Sequence, residues 1–452
     1  MTIGTTSLPK VTGRVIGPND PEYDAARATF YGGTDKHPAA IVRVADADDV
    51  SRVVTFARES GTELAIRSGG HSGAGHSVSD GGIVIDLKDM HALEIDAKAH
   101  TAWAEAGLTA AAYTIAADAH DLATGFGDTG SVGIGGITLG GGVGYLVRKH
   151  GLTIDDLLAA DIVTADGQLL RVDAETHPDL FWAIRGGGGN FGVVTRFHLR
   201  LHDLSTIVGG MLMLPATAEV IRSFIALSEA APEELSTIAN VMPAPPMPFV
   251  PAAHHGKLVI FGMLCYAGEV EAGERAVAPF RKLATPIVDM VKPGRYPSMY
   301  PPDDESYHPI GSSRTMFIDS VDRDVAKTIV EHLNATDAQL RVAQLRVLGG
   351  AMARVPVEAT AFAHRRSRIM VNCAALYERT DQAAKYEPWV TGFASALKQS
   401  DSGAYVNFLT DESSERVRAA YPGPTWDRLV AIKRRYDPTN LFRLNQNIPP
   451  AP

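Results

Sequence analysis

The sequence predicts an α+β protein built from more than one domain, and three observations carry that expectation. The chain has 452 residues, more than one ordinary hydrophobic core takes up. Between His37 and Leu201, short strand-like and helix-like segments alternate, punctuated by glycine. After Leu201 the segments lengthen into amphipathic stretches and the glycine motifs nearly vanish. With 45% apolar and 21% charged residues, the composition is that of a globular chain.

The elements follow in order. PAAIVRVAD, from Pro38, is strand-like. Val50, Val53, Val54 and Ala57 then recur at helical spacing behind Asp46 and Asp49, which suit a helix start. ELAIRS, after Gly61, completes a strand–helix–strand unit. GGIVIDL and TAWAEAG continue the strand pattern, and Leu108 to Asp121 is an alanine-rich helix. AADIVTADG and QLLRVD flank Asp166-Gly167, a preferred hairpin dipeptide. PDLFWAIR reads as helix and VVTRFHLRL as a β-branched strand. Further on, Thr217 to Ala231 and Ala326 to Leu333 are amphipathic, and Pro243 to Pro251 is a proline-dense loop. The tail, AYVNFLTDE with a helix from Trp426 to Tyr436 and then DPTNLFRLNQNIPP, differs from both parts. The expected division is 1–204, 205–400 and 401–452.

Lys and Arg total 42 against 52 acidic residues, a net charge of -10. That balance repels phosphate backbones and anionic lipid, so neither nucleic acid nor a membrane is an expected partner. Cys265 and Cys373 lie in apolar runs without metal-ligand spacing, as small buried hydrophobes, with one disulfide as the alternative. No metal is expected. MTIGTTSLPKVTGRV lacks an apolar signal core, and no stretch reaches membrane-span length, so the expectation is a soluble, cytoplasmic protein.

Between Gly125 and Gly144, ten of twenty positions are glycine. Glycine loses more backbone freedom on folding than other residues, so such density needs a reason. The usual one is close backbone approach to a bulky anionic ligand. A flexible linker does not fit, because Val132, Ile134, Ile137, Leu139, Val143 and Tyr145 are interleaved. R-S-G-G-H-S, Arg67 to Ser72, follows a strand, where backbone amides can cradle a pyrophosphate. R-G-G-G-G-N-F-G, Arg185 to Gly192, contains G-x-G-x-x-G at Gly187, Gly189 and Gly192. A helix precedes it and a strand follows, the reverse of a nicotinamide Rossmann site. The chain has no P-loop motif either.

Five motifs stand in order across nearly the whole chain. They are R-S-G-G-H-S, S-V-G-I-G-G with L-G-G-G-V-G, H-P-D-L-F-W-A-I-R-G-G-G-G-N-F-G-V-V, Y-V-N-F, and D-P-T-N-L-F-R-L-N-Q-N-I-P-P. Together they resemble the berberine-bridge-enzyme-like FAD-linked oxidases of the vanillyl-alcohol-oxidase/PCMH superfamily. The resemblance implies a PCMH-type FAD-binding domain of two subdomains, completed by the C-terminal segment. It also implies a substrate domain whose antiparallel sheet, flanked by helices, roofs the isoalloxazine.

FAD contacts implied by the resemblance fall on Arg67, Ser68, Gly69, Gly70, His71, Ser72 and Ser77; His76, which matches no specific family position, is a further candidate contact or a loop residue. In the second motif they fall on Thr129, Gly130, Val132, Gly133, Gly135, Gly136, Gly140, Gly142, Val143, Gly144 and Tyr145. The later motifs add Gly189, Asn190, Phe191, Val193, Tyr405, Asn407, Asn445 and Gln446. His71 matches the family's flavinylation site. A neutral imidazole nitrogen is a nucleophile, and the flavin 8α carbon is electrophilic in its quinone-methide form. The expectation is therefore a covalent His71–FAD bond, with Arg67 favouring the anionic flavin formed on the way. A hydrogen-bonding loop histidine is the alternative. Many plant relatives make a second bond through a cysteine; Thr129 stands at that position, so attachment is single. Ile137 stands where relatives often carry a histidine.

Hydride transfer from an alcohol or amine carbon needs a base. Tyr405 serves if a cation or the flavin lowers its pKa; otherwise it is an aromatic packed on the ring. Asn372 is a candidate for orienting a substrate oxygen, and Tyr377, on the same expected strand, is a further candidate or a core residue. Val132 matches the family's gate position, where a small side chain admits oxygen. The expected reaction oxidises a small metabolite and reduces O₂ to H₂O₂. A dehydrogenase with another acceptor and a non-catalytic flavin protein are the competing readings, and no motif names the substrate.

Overall fold

In the computed structural model, strand Ala40–Arg43 runs into helix Ala47–Ser60 and then strand Leu64–Arg67. The Asp46 carboxylate accepts the Asp49 amide at the helix start, and Gly61 ends the helix at φ 69°. Val50, Val53, Val54 and Ala57 are all buried, as their spacing requires. The described residues are 8–302, 304, 306–410 and 413–451; the expectation for the first seven residues lies outside them. Strand Ile83–Asp86 inserts between the two strands, parallel to both, and Arg14–Ile16 adds an antiparallel edge.

A second, antiparallel sheet has the order Leu93–Asp96, Thr101–Glu105, Val193–Arg200, Leu157–Val163, Leu169–Asp173. Its last two strands form the hairpin, with Gly167 at φ 85°. The alanine-rich helix spans only Ala110–Asp118; Thr109 caps it, and Asp121 beyond its end turns left-handed at φ 58°. The two sheets share one core, and Leu441, Phe442 and Ile448 of the tail belong to it.

The third sheet carries Ile310–Ile318, Ile369–Tyr377, Leu340–Val347, Leu235–Pro243, Leu258–Ala267 and Ile207–Pro215 as successive antiparallel neighbours. Helices Ala218–Ala230, Val270–Arg281, Arg323–Asn334 and Ala383–Leu397 bury their apolar sides on it in a separate core. The third of these helices starts earlier than its apolar spacing suggests, because Asp322 accepts from the Asp324 and Val325 amides. Cys265 and Cys373 are both free and buried, so the disulfide alternative is not formed.

The short helix Val147–His150 plugs the third unit into the first two. Arg148, itself buried, donates to the carbonyls of Ser228 (3.0 Å), Ala231 (2.8 Å) and Leu348 (3.2 Å). Lys149 donates to Ala267 O at 2.7 Å. Among the described residues, no helix is long and apolar enough to cross a membrane, and no acidic, histidine or cysteine cluster suits a metal.

Candidate active site

A cavity of about 500 Å³ opens where the three glycine segments, the tail and one end of the third sheet converge. The first two glycine segments are pinned together by Ser68. Its hydroxyl donates to Ala106 O at 2.5 Å and accepts from the Gly135 amide at 3.2 Å. Gly69 and Gly133 meet backbone to backbone there, so that a Cβ on either would overlap the other.

Ser68, Gly69, Gly70, His71, Ser72, His76 and Ser77 form one wall. The second segment contributes Thr129, Val132, Gly133, Gly135, Gly136, Ile137 and Val143, the third Gly189, Asn190 and Val193. The tail adds Tyr405, Asn407, Asn445 and Gln446, and the sheet adds Asn372. The His71 ring stacks on Phe30, centroids 4.0 Å apart. Hydrogen bonds hold the tail in place. Asn190 donates to Gln446 O (3.1 Å) and accepts the Ile448 amide (2.9 Å), while Asn445 donates to Gly189 O (3.2 Å).

The Tyr405 hydroxyl oxygen receives three N–H groups: Gly142 at 3.0 Å, Val143 at 3.3 Å and the Asn407 amide at 2.9 Å. Burial nevertheless pushes this phenol above its ordinary pKa, against the opposing pull of those donors and of Arg346.

Three lining residues carry no sequence signature. Arg346, 4% exposed, donates to Asp128 at 2.6 Å and to Gln344 at 2.8 Å, and its guanidinium lies 5.1 Å over the Phe408 ring. Arg346 and Gln344 share one face of a strand, but Asp128 is 218 residues away in sequence. Only the regular alternation of that strand could have flagged the first two.

The FAD binding domain family profile matches residues 38–173, and the berberine and berberine-like profile matches 404–449. The chain is 30% identical to (R)-6-hydroxynicotine oxidase of Paenarthrobacter nicotinovorans, with 97% of each chain covered. It is 31% identical to an FAD-linked oxidoreductase of Bacillus subtilis, covering 99% of this chain and 100% of that one. The chain belongs to the berberine-bridge-like FAD-linked oxidoreductases. The crystal structure of 6-hydroxy-D-nicotine oxidase from Arthrobacter nicotinovorans superposes with a TM-score of 0.87 at 27% identity, covering 98% of this chain and 100% of that one. Xylooligosaccharide oxidase of Thermothelomyces thermophilus is 28% identical over 97% of this chain and 92% of its own.

The cavity suits the cofactor of this family. A Cβ on Gly136 or Gly189 would meet nothing within 4 Å, so these bare backbones are open to a ligand. Ser77 Oγ, Asn372 Oδ1, Tyr421 Oη and Asn445 Oδ1 are buried polar atoms on lining residues and lack protein partners among the described residues.

The packing places several of the residues expected at the site off the cavity wall. Arg67 does not line the cavity; its guanidinium is turned to Asp86 (2.8 Å), which also faces Arg43, so its charge is neutralised away from the ligand space. Gly130, Gly140, Gly142, Gly144, Tyr145 and Phe191 stand behind the wall rather than on it. A Cβ at Gly140 would overlap the Asn407 side chain, one at Gly142 would overlap Thr153, and one at Gly144 would overlap Phe126 O. These glycines let the loop pack on the protein. Tyr145 is buried beside Tyr300, and Phe191 is a core side chain. Tyr377 also misses the cavity: its hydroxyl bonds Ser312 at 2.9 Å and its ring stacks on Tyr386. Ser312 takes its place on the wall. At Tyr405 the protein alone raises the phenol pKa, and the lowering that the base role was conditioned on is supplied only in part, by the N–H donors and Arg346.

Proposed function

We propose that this FAD-linked oxidoreductase is an oxidase of a small alcohol or amine, with its flavin bonded to His71. The observation that carries the reading is the Tyr405 hydroxyl, ringed by three N–H donors, on the cavity that His71 and Asn372 also line. FAD, when bound, accepts the hydride from the substrate carbon and passes the electrons to O₂, giving H₂O₂. Tyr405 Oη takes the proton from the substrate hydroxyl or amine: burial raises its pKa, and the three N–H donors aimed at that oxygen oppose the rise and stabilise the phenolate as it forms. Asn372 orients the substrate oxygen from the sheet side. His71 would hold the flavin covalently through its imidazole, with O₂ as the two-electron oxidant that forming such a bond requires. Arg67, paired with Asp86, takes no part in that step. Val132, small and half-buried on the wall, leaves room for O₂.

Acid precipitation of the purified protein tests the bond. Yellow colour should stay in the pellet, and the peptide spanning His71 should carry the mass of FAD. His71→Ala should release free FAD into the supernatant; release from the unaltered protein would refute the bond. Peroxide release on a panel of alcohols, sugars and amines tests the oxidase reading, and turnover only with an artificial electron acceptor would favour a dehydrogenase.

A further inference from the structure

Lys433 and Asp437 form an ion pair at 2.7 Å with no side-chain surface exposed. Lys433 lies on helix Pro424–Tyr436, one turn before Asp437. The Asp437 carboxylate accepts the amides of Leu441 (2.8 Å) and Phe442 (2.9 Å), which folds the turn into the tail. The Lys433 ammonium donates to Asp437, to Phe442 O at 2.9 Å and to Asn190 O at 2.8 Å. Its three acceptors thus come from the helix end, the tail and the third glycine turn. Phe442, Asn445, Gln446, Gly189 and Asn190 line the cavity directly in front of this junction.

A buried ion pair contributes little net stability compared with well-packed apolar residues of the same volume, because both charges give up their hydration. What apolar residues cannot supply is three directed bonds that fix two backbone segments in register. We infer that Lys433 is a positioning residue for the cofactor: its ammonium, oriented by Asp437, locks the tail onto the turn Gly188–Asn190 so that Asn190, Asn445 and Gln446 present one surface to FAD. The inference rests on the cavity being the FAD site.

The test uses full-length His71→Ala protein, stripped of flavin and titrated with FAD, with and without Lys433→Met and Asp437→Leu together. The pair-less apoprotein should melt lower, because the Leu441 and Phe442 amides lose their acceptor. The decisive readouts are therefore FAD affinity measured well below both melting temperatures and the spectrum of the bound flavin. The pair-less protein should bind FAD about tenfold more weakly or worse, and the visible circular dichroism of its bound flavin should change. Affinity within about threefold and unchanged dichroism would overturn the inference. Should the pair-less chain not fold, hydrogen exchange on the His71→Ala protein decides. FAD should protect residues 187–191 and 441–448 together, and protection of one segment without the other overturns the clamp. Loss of FAD binding from both proteins would refute the cavity assignment and the inference with it, whereas equally tight binding refutes the clamp alone.

Discussion

At Tyr405 two effects oppose each other. Burial raises the phenol pKa, while Gly142, Asn407, Val143 and Arg346 lower it, and burial prevails. The base form therefore grows with pH throughout the range in which the protein is assayed. Flavin reduction should rise with a slope near one in log rate between about pH 6 and 9, below the usual tyrosine pKa of about 10. Tyr405→Phe should reduce that rate about 10²–10⁴-fold and flatten the profile, measured by anaerobic stopped flow. A pH-dependent Phe variant would return Tyr405 to a packing role. In the proposed oxidase reaction, Val132 is the gate for the oxygen half-reaction. Val132→Leu adds a methylene to a wall already crowded by Gly133 and Gly69, and it should slow reoxidation by O₂ while leaving anaerobic reduction nearly intact. Equal reoxidation rates would show that oxygen enters elsewhere. Contiguous motifs made His71, Asn190 and Gln446 legible in the sequence. Arg346 was not, since its partners Asp128 and Phe408 join it only through the fold.

At the scale of the element, the loop Gly125–Gly144 shows what a glycine cluster does and does not reveal. The sequence reads it as close backbone approach to a bulky anionic ligand, whereas in the fold several of its glycines approach other protein atoms. Gly133 meets another loop, Gly144 meets Phe126 O, and Gly136 faces open space. Substitution separates these roles. Gly144→Ala forces a methyl group into a carbonyl and should destabilise the protein by about 3 kcal/mol or prevent folding. Gly136→Ala lies within helix Ile134–Leu139, where alanine is favoured, so the apoprotein should melt no lower than its parent. In the His71→Ala background the added methyl should weaken FAD binding, read by fluorescence titration. Unaltered affinity would show that the cofactor does not approach Gly136. The parallel insertion of Ile83–Asp86 between two earlier strands was not legible, because strand order leaves no local periodicity.

Across the whole molecule, the plug Val147–His150 is one of the junctions that fix the sheet roofing the cavity to the first two units, beside ion pairs such as Arg365–Asp155 and Arg295–Asp118, and it holds a titratable group. The His150 ring stacks on His202, centroids 3.9 Å apart, and its Nε2 is buried without a partner among the described residues. His202 is itself bonded to Asp156 at 2.7 Å, and Lys149 adds a positive charge alongside. Burial first, then His202 and Lys149, push the His150 pKa down to about 3 from an ordinary 6.5. The folded chain thus keeps His150 neutral where the unfolded chain would protonate it. Its contribution to stability is complete above about pH 6.5 and is lost progressively as the pH falls toward the folded value. Burial moves the Asp156 carboxyl the other way, upward, so bulk acid sensitivity mixes the two and only a paired comparison isolates His150. His150→Phe keeps a ring for His202 to stack on and removes the titration. Between pH 7 and 4 the melting temperature of the unaltered protein should fall more steeply than that of the variant, and the two curves should converge toward pH 7. Parallel curves over that range would show that the junction does not sense acid through His150.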